Sequence, residues 1–158
     1  MAQPLPSQHY PEQKVVASPL RRAVQTAEAF GLPIDIDERW IELDYGDFDG
    51  RPVTSVGVET WKLWRSDVHF RPPGGESMAE LDARVRHALA DLAAAQGDAH
   101  VIVVSHVSPI KAAIAWALGV GIEISWRTAL DRASMSTIRL DAERPSLRTF
   151  NVTVHNEK

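Results

Sequence analysis

Apolar residues along the chain fall in short clusters, and their spacing changes from one cluster to the next. Residues 15–17 are an unbroken apolar run of strand length. Behind it, Leu20, Ala23, Val24 and Ala27 recur at helical spacing. Ser18 and Pro19 read as the N-cap and first turn of that helix, and Gly31 and Pro33 stop it. Residues 33–37 read as a short strand or extended link, and residues 44–50, dense in Asp and Gly, as a loop. Residues 60–64 predict a helical turn with Trp61 and Trp64 on one face. Pro72-Pro73-Gly74-Gly75 is a loop, after which Ser77 and Glu80 make a capping box. Leu81, Val85, Ala88, Leu89 and Leu92 then give a long amphipathic helix. The β-branched run 101–104 suits a strand buried on both faces. Ser108 and Pro109 start a helix over 110–118 that Gly119 closes. Two further strands are expected at 135–140 and 147–154, with Arg144-Pro145 in the turn. This order predicts an α/β fold in three layers, a mostly parallel sheet flanked by helices. Ligands in such folds collect at the C-terminal ends of the strands.

Composition narrows the picture. A length of 158 residues suggests one domain over 1–158, and 44% hydrophobic with 24% charged residues is ordinary for a chain with a real core. The 17 Lys and Arg are outnumbered by 21 Asp and Glu, so the positive footprint of a nucleic-acid partner is missing. No cysteine is present, which removes disulfides, thiol nucleophiles and thiolate metal sites and suits a cytoplasmic location. No apolar run is long enough to span a membrane, and the polar residues 1–13 do not read as a secretory signal. The six histidines are scattered, none with a ligand partner four residues on, so neither a metal nor another cofactor is expected.

Three places carry candidate chemistry. In Ser18-Pro19-Leu20-Arg21-Arg22-Ala23, a helix start offers free backbone N–H groups, and Arg22 can add a planar fork suited to phosphate oxygens. Spacing alone leaves a solvated helix face open for both arginines. In Ser105-His106-Val107-Ser108-Pro109, an imidazole follows a buried strand and precedes a helix, aimed at the same sheet edge as Arg22. A phosphate beside His106 would favour its charged form, and a histidine satisfying backbone groups is the alternative. Third, residues 42–50 combine Glu42, a carboxyl able to protonate a leaving oxygen, with Tyr45 and Phe48 as pocket walls; an acidic surface loop is the alternative.

In combination these segments resemble the histidine phosphatase (phosphoglycerate mutase-like) superfamily, nearest to its α-ribazole and acid phosphatase members. The likeness rests on Ser18-Pro19-Leu20-Arg21-Arg22-Ala23-Val24-Gln25-Thr26-Ala27, Glu42-Leu43-Asp44-Tyr45-Gly46, Pro72-Pro73-Gly74-Gly75-Glu76-Ser77 and Val104-Ser105-His106, in the family's order. It implies a hydrolase acting on small phosphate monoesters through a phosphohistidine. Arg22 would grip the phosphoryl group, His106 would bind and stabilise it, and Glu42 would be the general acid. One branch of the family places an Asp after the late histidine; here Val107 stands there, which leaves the acid to Glu42. Tyr45, Phe48, Trp61, Trp64 and Glu76 are further pocket candidates, Arg84 is expected to be structural, and Lys111 an exposed helix residue. The short stretch between Gly50 and Pro72 favours water over a retained acceptor, so a phosphatase ranks ahead of a mutase.

The resemblance also implies an earlier strand and an Arg-His-Gly motif carrying the nucleophile. Only 17 residues precede Ser18, and Arg-His-Gly occurs nowhere in the sequence. His9, between Gln8 and Tyr10, reads as an ordinary loop residue. The domain is therefore expected to be N-terminally truncated with its first strand missing, Met1 being an internal methionine of a longer frame that can include another domain. A strand edge left open in this way offers a route to a homodimer. A catalytically inactive, anion-binding pseudo-phosphatase is the alternative function.

Overall fold

The computed structural model describes residues 13–95, 99–141 and 143–153. His9 and most of the N-terminal polar stretch lie outside the described residues.

Three strands make a parallel sheet. β1 (Gln13–Ala17) is central, with β2 (Ile34–Ile36) on one side and β3 (His100–Val104) on the other. Side chains alternate across a strand, and here each face has its own core. Val15 and Ala17 of β1, with Ile102 and Val104 of β3, pack on Ala27 of helix α1 (Arg21–Glu28). Val16, Val101 and Val103 face the other way, into a larger core. That core takes Leu81, Val85, Ala88 and Leu89 from α3 (Met78–Ala95), and Ala112 and Ala113 from α4 (Val107–Leu118). The three layers expected from the sequence are thus one helix, the sheet, and a helix pair. The remaining strands, β4 (Met135–Arg139) and β5 (Ser146–Val152), form a separate antiparallel hairpin packed against α4.

Several expectations change in detail. Residues 101–104 are half-buried rather than sealed on both faces, because β3 pairs with β1 alone among the described strands. Helix α1 begins at Arg21 with Leu20 as its cap residue, so Ser18 is not the N-cap; its hydroxyl accepts from the Leu20 N–H at 3.3 Å and lies elsewhere in the network. Helix α4 begins at Val107, with His106 in the cap position and Ser108 and Pro109 already inside the first turn. The helical turn around Trp61 extends to α2 (Val58–Ser66). Its Trp61 and Trp64 do share a face, stacked at 5.4 Å, but among the core residues.

The capping box forms as read. Glu80 accepts from the Ser77 N–H at 2.9 Å, and the Glu80 N–H donates back to the Ser77 hydroxyl at 3.2 Å. The two glycine-bearing loops meet directly: the Asp47 N–H donates to Pro73 O at 2.8 Å and the Glu76 N–H to Asp44 O at 2.9 Å. Gly46, at φ +52, sits where a Cβ would run into the Pro73 carbonyl oxygen. Glycine is required there on two counts, conformation and contact.

Candidate active site

β1 and β3 are parallel neighbours with Ala17 opposite Val104, so the chain leaves both strands at the same sheet edge. Ser18 leaves β1 and Ser105-His106 leave β3 side by side, and the Ser18 N–H still donates to Val104 O at 3.0 Å. His106 is buried, with Nε2 2.7 Å from the hydroxyl oxygen of Ser18, itself fully buried. Arg22 stands in the first turn of α1. Among the described residues its guanidinium makes no ion pair or hydrogen bond.

Glu42 reaches the same place by a different path. Asp37 follows β2 and caps a 3-10 turn (Glu38–Trp40) by accepting from the Arg39 N–H at 2.9 Å. The Ser105 hydroxyl donates to Trp40 O at 2.7 Å, which ties the end of that turn to the end of β3. Arg84 of α3 donates from Nη1 to Arg39 O at 2.6 Å and from Nη2 to Glu42 O at 3.3 Å. Glu42 Oε1 then accepts from two backbone N–H groups, Leu43 at 2.8 Å and Ser108 at 3.2 Å. The second belongs to the first turn of α4, whose N–H groups have no partner inside the helix. Oε2 has no hydrogen-bond partner among the described residues and is free for a ligand.

Between these elements lies a cleft of about 810 Å³, lined by Leu20, Arg22, Ile41, Glu42, Leu43, Asp44, Tyr45, Asp49, Arg71, Gly75, Glu76, Glu80 and Arg84. His106 adjoins it. Its pKa is lowered, first by burial and then by the positive charges of Arg22 and Arg84, with Glu42 pulling the other way. Arg22, Glu42 and His106 therefore sit within electrostatic reach of one another. Burial thus favours the neutral ring of His106, and the charged ring expected from the sequence is the form that a phosphate beside it would favour.

Tyr45 lines the cleft with its hydroxyl 3.4 Å from Ser108 Oγ and its ring against Trp64. Burial raises its pKa; the bond to Ser108 opposes that, and the charges of Glu42 and Asp49 add to it. Phe48 is not a wall of the cleft but packs on Trp64 at 5.9 Å, in the core. Glu76 lines the cleft, yet both its oxygens accept from Arg84, at 2.7 and 2.9 Å. Arg84 is structural as expected: one guanidinium joins α3, Glu76 and the backbone that carries Glu42. Lys111 departs from expectation. It is half-buried, donates to Ser125 O at 2.9 Å, and has its pKa lowered by burial against an opposing pull from Glu42.

Sequence reasoning missed Ser18 as a partner of His106, and Asp49, Arg71 and Glu80 as cleft residues. For Ser18 the signal was available: a serine directly after one parallel strand and a histidine just after its neighbour. Asp49 belongs to the loop already singled out, while Arg71 and Glu80, the latter in the first turn of α3, join the cleft through contacts distant in sequence. Among the described residues no cluster of His, Asp and Glu is placed to hold a metal ion.

The chain belongs to the histidine phosphatase superfamily (branch 1), whose profile matches residues 5–153. It is similar to a bifunctional protein of Mycobacterium tuberculosis, 35% identical over 147 residues that cover 88% of this chain and 40% of that one. It thus spans well under half the length of that bifunctional protein. Phosphoserine phosphatase 1 of Hydrogenobacter thermophilus is 32% identical over 163 residues, covering 98% of this chain and 76% of that protein. Among solved structures, a mycobacterial glucosyl-3-phosphoglycerate phosphatase in complex with inorganic phosphate superposes with a TM-score of 0.76 at 29% identity, covering 88% of this chain and 76% of that chain. The α-ribazole phosphatase of Shigella flexneri does so with a TM-score of 0.73 at 27% identity, covering 87% and 72%. Several members of this family that the chain resembles are named as phosphatases. No helix among the described residues is long and apolar enough to cross a membrane.

Proposed function

We infer that this domain binds and hydrolyses small phosphate monoesters, with Arg22 and His106 holding the phosphoryl group and Glu42 acting on the leaving oxygen. The observation that carries the reading is a cleft lined by a guanidinium and a carboxylate that each keep a free group among the described residues, with a buried imidazole in electrostatic reach of both. By resemblance to the family, the nucleophile would be a histidine that these residues do not supply: its nitrogen would form the N–P bond as the ester P–O bond breaks, and the departing oxygen would take the proton of the Glu42 carboxyl. Water then attacks phosphorus, the N–P bond breaks, and Glu42 takes the proton of the water. The negative charge that spreads over the phosphoryl oxygens is met by Arg22 and His106. The nucleophilic histidine is not among these residues: the sequence has no Arg-His-Gly, and His106 is spoken for as a donor.

The cleft's charges bear on the leaving group. Arg71 and Arg84 are paired with Glu80 and Glu76, and among the described residues of the lining Arg22 is the cation without an ion pair, alongside Glu42, Asp44 and Asp49. That balance supports an ester whose non-phosphate end is a neutral polyol or an amine in preference to a second anion.

Inorganic phosphate binding to the 158-residue chain tests the reading by calorimetry. Arg22→Ala should weaken binding by about tenfold to a hundredfold, the loss of charge-assisted hydrogen bonds. Unaltered affinity in that variant would remove Arg22 from the site. In a chain extended by a segment carrying Arg-His-Gly, His106→Ala should lower kcat by about 10²–10³.

The missing motif itself favours a second reading, in which the chain binds anions without turnover. A phosphorylated histidine detected on the 158-residue chain would exclude it.

A further inference from the structure

The Ser18 hydroxyl is fully buried, and its hydrogen-bond partners can be counted. A hydroxyl has one hydrogen to give and two lone pairs to receive with. The Leu20 N–H, at 3.3 Å, uses one lone pair. The only other polar neighbour within hydrogen-bond distance among the described residues is His106 Nε2, at 2.7 Å. If Nε2 carried the proton, the Ser18 hydroxyl would receive twice and its own hydrogen would be left without an acceptor in a place sealed from water. A buried unmade hydrogen bond of this kind is costly. If the hydroxyl donates to Nε2, the hydroxyl's hydrogen and Nε2 are both satisfied. Nε2 is then the acceptor, and in a neutral ring the proton must lie on Nδ1. Nδ1 has no hydrogen-bond partner among the described residues and is absent from the sealed, unpartnered atoms.

We propose that Ser18 is the positioning residue that fixes the tautomer of His106, keeping Nδ1–H available as a hydrogen-bond donor for an anion bound beside Arg22 and Glu42. The role explains how a buried, neutral imidazole serves a phosphate: it donates through Nδ1 without first having to be charged. Complete burial also excludes the other use a serine beside a histidine suggests. Phosphorus cannot reach the Ser18 oxygen, so the pair is not a serine nucleophile with its base. Ser18 touches no substrate and acts through His106 alone. The proposal rests on the reading of the cleft as an anion site, but its decisive measurement does not.

That measurement is the long-range proton–nitrogen NMR spectrum of the ¹⁵N-labelled chain near neutral pH, with the His106 signals assigned by their loss in His106→Asn. The Nδ1–H pattern is expected for His106. The Nε2–H pattern in the wild-type chain would overturn the proposal whatever the variants do. Ser18→Ala should shift His106 towards the Nε2–H form and weaken inorganic phosphate by about tenfold, the worth of one oriented hydrogen bond. Ser18→Thr, which keeps the hydroxyl, should restore both. An unchanged tautomer in a folded Ser18→Ala chain would also refute the role. If the wild-type chain fails to bind phosphate at all, the function proposed for the cleft falls while the tautomer still decides the role of Ser18.

Discussion

His106 is held neutral mainly by burial, and this gives the site a pH dependence of definite sign. Its folded-state pKa lies below the ordinary value of 6.5, so the unfolded chain takes up that proton more readily. The contribution to stability is therefore complete above about pH 6.5 and declines as pH falls through and below it. A bound dianion favours the imidazolium and reverses the trend at the level of binding. Sulfate, which stays a dianion across this range, should bind more tightly as pH is lowered from about 8 to about 6. Calorimetry in buffers of different ionisation enthalpy should show net proton uptake at the lower end. Affinity that does not change with pH would mean that His106 meets the anion only as a neutral donor, without becoming charged. A second residue-scale prediction concerns Arg84. Arg84→Met strips Glu76 of both donors in a setting only one-fifth exposed, so stability should fall by about 2–3 kcal/mol. Phosphate affinity should fall with it, because Glu42 loses the guanidinium on its carbonyl.

Elements carry predictions of their own. Ser77→Ala removes the capping box of α3 and should cost about 1 kcal/mol, read from the denaturation midpoint by tryptophan fluorescence. Gly46→Ala forces a Cβ into the Pro73 carbonyl at a positive φ and should cost more, about 2 kcal/mol or above. The contrast between those two sites shows what could be read in advance. The capping box is a local pattern four residues long, so it was legible. So were the strand and helix periodicities that place Arg22 and His106 at one sheet edge, since parallel strands bring their C-terminal ends together. The contact of Gly46 with Pro73 joins loops 27 residues apart, and nothing in either loop announces the other. Ser18 was misread for a related reason. A serine before a proline and a helical run matches a cap, but the neighbouring strand supplied a better partner than the helix did. Lys111 was misread because the 3-10 turn Ile122–Arg127, which covers it, leaves no mark on the sequence around residue 111.

At the scale of the molecule, the sheet is asymmetric. β1 has a partner on each side, while β3 has one among the described strands, and its valines are half-buried. Hydrogen exchange should therefore find the β1 amides protected close to the global stability and the outward amides of β3 markedly faster. If a second copy of the chain covers that edge, as the sequence led us to expect for an open strand, protection of β3 should rise with protein concentration, and sedimentation should show the matching dimer. Protection independent of concentration would exclude this route to association.

The pairing of Ala17 with Val104 has a consequence beyond holding two strands together. Side chains at these strand ends meet only in one alignment, since a slip by a single residue would send them to opposite faces. The position of one proton on an imidazole ring is in this way a report on whether two backbones have been zipped up in step. A mispaired sheet would keep much of its hydrophobic contact and yet have no ring turned the right way to greet an anion.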